Sequence, residues 1–407
     1  MTSFNIAFRA VTGWRGSLTL APLLRGLENI RYGTLTITDA QGEEHRIYGD
    51  APGPAASLQI NRAAPLMRQL VLRGAEGFAE SYLAGDWETP DLRALLHMLA
   101  LNEAELRQLD SGNPLARWID RAQHLFRRNS RRGSRRNISF HYDLGNDFYR
   151  LWLDETMTYS AALFDHPSEE LATAQKRKID RMLELIDAQP GDHILEIGCG
   201  WGSFAIAAAR AGCRVTGVTL STEQLAWARE AVRRAGVEDR VELRLQDYRD
   251  LDETYDHIVS IEMFEAVGER YWPGYFQTLK ECLKPGGRAA LQVITIDDDS
   301  FERYREGADF IQLYIFPGGM LPSIPLFDTH ARRAGLQVAD RHTFGADYAE
   351  TLRRWDERVR DATHRIEAQG YDERFLRLWH YYLAYCEAGF HTGRIDVMQV
   401  VLEQSEA

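Results

Sequence analysis

Residues 194–202 read Ile-Leu-Glu-Ile-Gly-Cys-Gly-Trp-Gly, and this stretch decides the fold. A short apolar run ends in three alternating glycines, and a helical pattern follows from Ser203. The pattern predicts a buried strand, a tight turn and the first residues of a helix. Glycine suits such a turn because it adopts positive φ and lets a ligand approach the backbone closely. The three glycines are Gly198, Gly200 and Gly202.

The spacing of these glycines separates this turn from a dinucleotide site. It is G-x-G-x-G, whereas a dinucleotide site has G-x-G-x-x-G with a pyrophosphate on the helix. Glu196 adds an acidic residue inside the strand, just before the turn. The combination resembles motif I of the S-adenosylmethionine-dependent methyltransferases. Under this resemblance the cofactor-binding residues of the turn are Glu196, Gly198, Cys199, Gly200, Trp201 and Gly202.

Further strand and helix patterns alternate along the next hundred residues. They predict an α/β fold with a doubly wound parallel sheet, because such alternation places helices on both faces of the sheet. Ligands of these sheets bind beyond the carboxyl ends of the strands, so the site is expected in the loops that follow them. The predicted strands are 194–197, 214–218, 241–245, 256–261 and 288–296, and the clearest helix is 222–234.

The loops after the second and third strands offer groups that suit adenosylmethionine. Asp247 could accept a hydrogen bond from the adenine amine, and Tyr248 or Trp201 could pack on a ring. Hydroxyl and amide groups could bind the ribose. The place that holds an acidic residue in most methyltransferases holds Thr219 here, which points to a particular subfamily. The predicted ribose-binding segment comprises Thr219, Leu220, Ser221 and Gln224.

Several separated motifs resemble those of the cyclopropane-fatty-acid synthases and the related mycolic acid methyltransferases. The resemblance extends from about Ile138 to the C-terminus, and the motifs occur in the same order. They are the segments 140–149, Thr158-Tyr159-Ser160, 198–202, Leu220-Ser221-x-x-Gln224, Met263-Phe264-Glu265, 315–323 and Tyr348-Ala349-x-Thr351-Leu352-x-x-Trp355.

This resemblance implies a class I, Rossmann-like methyltransferase fold with helical insertions for the lipid. The implied reaction transfers a methyl(ene) group from S-adenosylmethionine to the double bond of an unsaturated phospholipid acyl chain, forming a cyclopropane fatty acid. In the resembling enzymes a bound bicarbonate is the base that removes the proton. Its positions fall on Glu265, Tyr348 and Cys386, while Tyr159 and Ser160 fall on a loop that touches both cofactor and bicarbonate.

Two positions depart from the family pattern. Ala161 stands where a cysteine is expected, and Gln292 stands where a histidine is expected. Glutamine can donate a hydrogen bond to bicarbonate but cannot carry a proton. Glu265 could then itself be the base. The departure leaves open an alternative product, a methyl-branched lipid or a furan-fatty-acid precursor that forms without ring closure.

The domain organisation follows from composition and pattern. Residues 1–112 are expected to form a small α+β accessory domain, 113–137 a basic linker, and 138–407 the methyltransferase domain. The accessory domain shows a hairpin pattern at 33–49, a strand pattern at 58–60, and helical patterns at 65–72 and 92–109. It could present lipid or support a homodimer.

An arginine run at 127–136 contains six arginines and no acidic residue. It could be a solvated tether, or it could attract anionic lipid headgroups by about 1 kcal/mol per basic residue.

The composition indicates a cytoplasmic enzyme, and the bilayer lipid substrate that the resemblance implies would make it peripheral on the inner face of the membrane. The chain has 407 residues, with no signal-peptide pattern and no apolar run that approaches a membrane span. Its four cysteines show no disulfide or metal spacing, so no metal is expected, and the net charge of −12 argues against nucleic acid as a partner.

Two alternative function classes are a methyltransferase for a small soluble acceptor and a non-catalytic lipid-binding protein. The apolar segment 301–326 suits an acyl chain better than a polar acceptor.

Overall fold

The computed structural model describes residues 20–106 and 144–405. They form two compact units, 20–106 with 370–392, and 144–369 with 393–405. The expected domain boundaries and the arginine run at 127–136 lie outside the described residues, so the linker stays a prediction.

The strands of the described chain are Tyr32–Thr38 (β1), Glu44–Tyr48 (β2), Ala51–Ile60 (β3), Trp87–Glu88 (β4), His193–Ile197 (β5), Arg214–Thr219 (β6), Val241–Leu245 (β7), Tyr255–Ile261 (β8), Leu283–Ile296 (β9), Leu336–Thr343 (β10) and Ile395–Gln404 (β11). The α-helices are Ala21–Leu27 (α1), Ala63–Leu83 (α2), Leu92–Leu101 (α3), Glu103–Leu106 (α4), Asn146–Tyr149 (α5), Leu171–Leu185 (α6), Ser203–Arg210 (α7), Thr222–Ala235 (α8), Trp272–Cys282 (α9), Asp298–Glu306 (α10), Phe310–Tyr314 (α11), Ile324–Arg333 (α12), Gly345–Asp361 (α13), Thr363–Ala368 (α14) and Glu373–His391 (α15).

The first unit is an α+β fold, as the sequence predicts. Its sheet has the order β2-β1-β3-β4, and β1 with β2 forms the predicted antiparallel hairpin. Buried and partly exposed residues alternate along β1, because one face of the strand packs on the helices. The buried Asn102, just after α3, accepts hydrogen bonds from the backbone N–H groups of Arg31 and Tyr32 at 2.7 and 2.8 Å. This side chain therefore ties the end of α3 to the start of β1.

The second unit contains a seven-stranded sheet with the order β10-β11-β9-β8-β5-β6-β7. The five strands from β5 to β9 are parallel, which confirms the predicted doubly wound sheet. Four of the predicted strands match to within one residue, whereas β9 begins five residues early, at Leu283. The antiparallel strands β10 and β11 extend one edge, and the sequence patterns did not indicate them.

The strand before the glycine turn is buried on both faces. Ile194 packs in one apolar cluster with Ile179 and Phe204, and Leu195 packs in another with Phe276. Full burial of each such side chain contributes about 1.5–3 kcal/mol, so the two helical layers hold β5 firmly in the sheet. The glycine turn is thus fixed at the carboxyl edge of the sheet.

The expected helical insertions lie between β9 and β10, where α10 and α11 form. Asp297 caps α10 by accepting a hydrogen bond from the Ser300 N–H, so the Asp297–Asp299 segment starts this helix. Within 20–106 and 144–405, no helix combines the length and the apolar character needed to cross a membrane.

Candidate active site

The glycine turn combines two tightly packed positions with one open position. All three glycines have positive φ, at 88°, 48° and 91° for Gly198, Gly200 and Gly202. A Cβ on Gly198 would lie 2.9 Å from the Met263 side chain, and one on Gly202 would lie 3.2 Å from that of Ala228. No atom of the described chain lies within 4 Å of the corresponding point at Gly200. A ligand can therefore meet the backbone most closely at Gly200.

The side chains of Cys199 and Trp201, the two other residues of the turn, make contacts within the protein. Cys199 packs in an apolar cluster with Leu225 and Ala228, and burial raises the pKa of its thiol well above the ordinary value. The Trp201 indole donates a hydrogen bond to the Asn146 side chain at 2.7 Å. These contacts hold the turn in shape, and they leave its backbone as the surface that a ligand would meet.

Glu196 has a buried carboxylate oxygen, Oε2, without a hydrogen-bond partner among the described residues. Burial raises the pKa of this carboxyl to about 8, and the charge of Lys178 opposes the increase. Lys178 is itself fully buried and donates to the Ser160 hydroxyl. Burial lowers its pKa to about 8, against the attraction of Glu262, Asp154 and Glu196. The orphaned oxygen of Glu196 can accept a hydrogen bond from a cationic or amino ligand group.

The ribose-binding segment predicted after β6 is ordered by its own side chains. Ser221 caps α8 by accepting from the Gln224 N–H at 3.2 Å, and the Thr219 hydroxyl donates to the Gln224 side chain at 3.3 Å. Leu220 lies between them, half-buried. The hydroxyl and amide groups predicted for the ribose thus form one cluster at the end of β6.

Asp247 is buried after β7 and is paired with Arg249, whose guanidinium donates to both carboxylate oxygens at 2.8 and 2.6 Å. Asp247 Oδ1 also accepts from the Arg249 N–H at 3.1 Å, so this arginine fixes the carboxylate that is predicted to meet the adenine amine. Tyr248 packs edge-on against Tyr275, and burial raises the pKa of Tyr248 to about 12. Both residues lie at the carboxyl edge of the sheet, next to the Thr219 segment.

Three residues from distant parts of the chain meet at the carboxylate of Glu262, directly after β8. Glu262 Oε1 accepts hydrogen bonds from the Ala161 N–H and the Gln292 side-chain amide, both at 2.8 Å. Glu262 Oε2 accepts from the Tyr348 hydroxyl at 2.6 Å. Three of the residues predicted to surround bicarbonate are therefore gathered around Glu262, which the sequence patterns did not single out.

Glu265 lies one turn further along and has different partners. One of its carboxylate oxygens accepts from the Ile294 N–H, and the other, Oε2, is buried without a partner among the described residues. Burial first, and then the neighbouring charge of Glu262, raise the pKa of Glu265 to about 8. The Glu265 carbonyl accepts from Met320 N–H at 2.8 Å, which joins it to the 315–323 motif.

An aromatic wall, made of Tyr149, Trp152, Tyr159, Phe316 and Trp355, is linked to Glu262 through Tyr348, whose ring lies 6.2 Å from that of Trp355. The Tyr159 ring lies 5.3 Å from that of Trp355 and 6.5 Å from that of Phe316. Aromatic rings can line an acyl chain, and their faces can stabilise a cation. Phe264, from the Met263-Phe264-Glu265 motif, packs inside the core against Trp272.

Cys386 lies on α15, which belongs to the first unit. Its predicted role toward bicarbonate stays a prediction.

Two buried charged residues of this site were missed in the sequence. Lys178 occurs in the run Lys176-Arg177-Lys178, which reads as a solvated helix face. Glu262 directly precedes the Met263-Phe264-Glu265 motif, and that proximity was the available signal.

The parallel sheet, the glycine turn and the ordered loops at its carboxyl edge define a class I methyltransferase. The chain belongs to the family described as mycolic acid cyclopropane synthetase, whose model matches residues 129–400. It is therefore an S-adenosylmethionine-dependent methyltransferase, as the resemblance implied.

Named relatives and a solved structure agree with this assignment. The tuberculostearic acid methyltransferase UfaA1 of Mycobacterium tuberculosis is 45% identical over 369 residues, which cover 87% of this chain and 84% of that protein. The cyclopropane-fatty-acyl-phospholipid synthase of Escherichia coli is 35% identical over 359 residues, covering 86% and 91%. The mycolic acid cyclopropane synthase CmaA1, solved with SAH and CTAB, superposes with a TM-score of 0.62 at 32% identity, covering 66% of this chain and 98% of that one.

Proposed function

We propose that this enzyme transfers a methyl group from S-adenosylmethionine to the double bond of an unsaturated phospholipid acyl chain. The observation that carries the proposal is the aromatic wall beside two buried carboxylates, next to the glycine turn. An unactivated double bond is a weak nucleophile, so orientation in a dry site is most of the catalytic task. A wall of rings suits a hydrocarbon chain and the positive charge that develops on it.

The residues present fit S-adenosylmethionine. Backbone at Gly200 is open to the ligand, and the orphaned Glu196 Oε2 can accept a hydrogen bond from an amino group. The Thr219 and Gln224 side chains suit the ribose, and Asp247 suits the adenine amine. When bound, this cofactor supplies an electrophilic methyl group on sulfur. The protein holds the acyl chain against it and excludes water.

The relatives support a lipid acceptor. One is named as a cyclopropane-fatty-acyl-phospholipid synthase, another as a tuberculostearic acid methyltransferase, and CmaA1 was solved with CTAB. We transfer the lipid substrate to this chain on that basis, together with the aromatic wall.

Two products are compatible with this reaction: a cyclopropane fatty acid, and a methyl-branched chain that retains a double bond. Ring closure is the common chemistry of the resembling enzymes. The second product is favoured by the 45% identity to a tuberculostearic acid methyltransferase, against 35% to a cyclopropane-fatty-acyl-phospholipid synthase. Gln292, at a position expected to hold histidine, also favours the branched product. We therefore propose the branched product first and the cyclopropane second.

The donors expected to hold a bicarbonate do not fit that ion here. Tyr348, Gln292 and the Ala161 N–H already donate to the Glu262 carboxylate. A bicarbonate in the same place would have to displace a bound carboxylate, and it would lie beside a like charge, which is unfavourable in a buried site. We derive no step through bicarbonate.

We also propose that the enzyme works at the cytoplasmic face of the membrane, because its acceptor is a bilayer lipid. The arginine run at 127–136 would attract anionic headgroups. The expected homodimer can be tested by analytical ultracentrifugation of the full chain.

Mass spectrometry of lipids from a host that expresses the chain tests the proposed function. We expect acyl chains heavier by one CH₂ that are absent from the host with an empty vector. Ozonolysis then separates the products, because it cleaves a retained double bond and leaves a cyclopropane ring intact. Unchanged lipids would refute the proposal and favour a small-molecule acceptor.

A further inference from the structure

Glu262 places a carboxylate of the protein itself at the centre of the predicted bicarbonate site. Its three donors come from the Ala161 loop, from β9 and from α13, and together they surround one planar carboxylate. A carboxylate and a bicarbonate share the planar O–C–O group and the single negative charge. The side chain therefore presents the same acceptor atoms that a bound bicarbonate would present.

The backbone at Glu262 is held in an unusual conformation. Its φ is +49°, a left-handed value that residues other than glycine adopt infrequently. The conformation is stabilised on both sides: the Glu262 N–H donates to the Gln292 carbonyl at 2.8 Å, and the Met263 side chain packs against Gly198. Such conformations persist where the surroundings determine them, and they cluster at functional sites. Here the turn aims the carboxylate into the site beside the glycine turn.

The hydrogen bonds distinguish Glu262 from Glu265 as a proton acceptor. Hydrogen bonds to a carboxylate favour its ionised form, and Glu262 receives three of them, whereas Glu265 receives one from Ile294. Burial raises the pKa of Glu262, and Tyr348, the charge of Lys178, Ala161 and Gln292 oppose that increase. Glu265, with a pKa raised to about 8, is mainly protonated at neutral pH and is a poor acceptor. Among the described residues only Tyr348 donates to Oε2 of Glu262, so this oxygen can accept one proton more.

We propose that Glu262 is the base that removes the proton from the methylated acyl chain, so that the enzyme needs no bicarbonate. This inference rests on the proposed function. The double bond donates its electron pair to the methyl carbon, the carbon–sulfur bond breaks with its pair on sulfur, and the acyl chain becomes a carbocation. Glu262 Oε2 then takes a proton from the chain, and the C–H electron pair forms a new double bond or closes the ring. Glu262 becomes a neutral acid and returns its proton to solvent after product release.

The test measures lipid methylation on vesicles of a monounsaturated phospholipid, in buffer freed of carbon dioxide under argon and in the same buffer with added bicarbonate. Wild-type protein is compared with Glu262→Gln, which keeps the shape and removes the base, and with Glu262→Gly, which removes the carboxylate and relaxes the positive φ. Glu169→Gln is the matched control, because Glu169 is another buried carboxylate that binds a backbone N–H and an arginine in this unit. Calorimetry reports the affinity of each variant for S-adenosylmethionine.

We expect wild-type turnover to be the same in both buffers and Glu169→Gln to behave like wild type. Glu262→Gln should lose turnover by about 100-fold or more, the usual size of a general-base contribution, while its cofactor affinity stays unchanged. Glu262→Gly should lose turnover in stripped buffer and regain at least part of it with bicarbonate or formate, which can occupy the released space. A merely structural role would not produce this rescue.

Wild-type turnover that collapses without bicarbonate would overturn the inference, and this measurement does not depend on the folding of any variant. Wild-type turnover by Glu262→Gln would also overturn it. So would a Glu262→Gly protein that binds the cofactor normally and is rescued by no added carboxylate. Wild-type protein that methylates no lipid in either buffer would instead refute the proposed function itself.

Discussion

Replacing Gly200 by alanine should separate the cofactor role of the turn from its folding role. Gly200 and Gly236 both have positive φ, at 48° and 67°, and neither has a described atom within 4 Å of the point where a Cβ would lie. Gly236 ends α8, in the same unit but outside the predicted cofactor loops. It is therefore a matched control, with the same kind of backbone strain and no predicted ligand.

The expected magnitudes follow from this pairing. A left-handed conformation costs a non-glycine residue about 1–2 kcal/mol, so both alanine variants should lose a similar free energy of unfolding. For a unit of this size each kcal/mol lowers Tm by about 2–4 °C. Only Gly200→Ala places a methyl group where the ligand is predicted to meet the backbone. We expect a loss of S-adenosylmethionine affinity of tenfold or more, about 1.4 kcal/mol, and a larger loss for Gly200→Val.

Calorimetric titration and thermal unfolding of the three proteins measure both effects. Undiminished affinity in Gly200→Val would refute the assignment of this loop to the cofactor. An equal loss of affinity in Gly236→Ala would show that the effect comes from general destabilisation and not from the ligand-facing turn.

Three further predictions concern the carboxylate pair and the arginine run. Tyr348→Phe should keep cofactor affinity and lose lipid turnover, measured by calorimetry and mass spectrometry, because the Tyr348 hydroxyl donates to the Glu262 carboxylate; full turnover would contradict this role. Burial raises the pKa of Glu265 from 4.5 to about 8, so its contribution to stability is present below pH 4.5 and is lost as pH rises toward 8. Glu265→Gln should therefore gain stability relative to wild type between pH 5 and 8 in urea titrations, and a constant difference would refute this. Replacing the six arginines of 127–136 with glutamine should weaken binding to anionic vesicles and reduce the salt dependence of that binding. Unchanged binding would contradict a role at the membrane and support only the interpretation of this run as a tether.

The sequence alone determined the fold class and the position of the loops at the carboxyl edge of the sheet. The signals were local: an apolar run before alternating glycines, β-strand patterns bounded by turns, and the Ser221 cap that starts α8. Each such signal depends on residues within one turn or strand, so it can be read along the chain. The sequence patterns did not predict strands β10 and β11, because β10 is a polar edge strand and β11 follows a long helix of the other unit.

Only the tertiary structure decided which carboxylate stands at the centre of the site. Tyr348 and Ala161 lie 86 and 101 residues from Glu262 in sequence, yet both donate to its side chain. The left-handed φ of Glu262, which aims the carboxylate inward, is not encoded by its residue type. Lys178, which donates to the Ser160 hydroxyl, is likewise buried by tertiary packing, whereas its local sequence is typical of a solvated helix face. Long-range hydrogen bonds and burial are properties of the folded chain, so the chemistry of this site became visible only when distant segments were brought together.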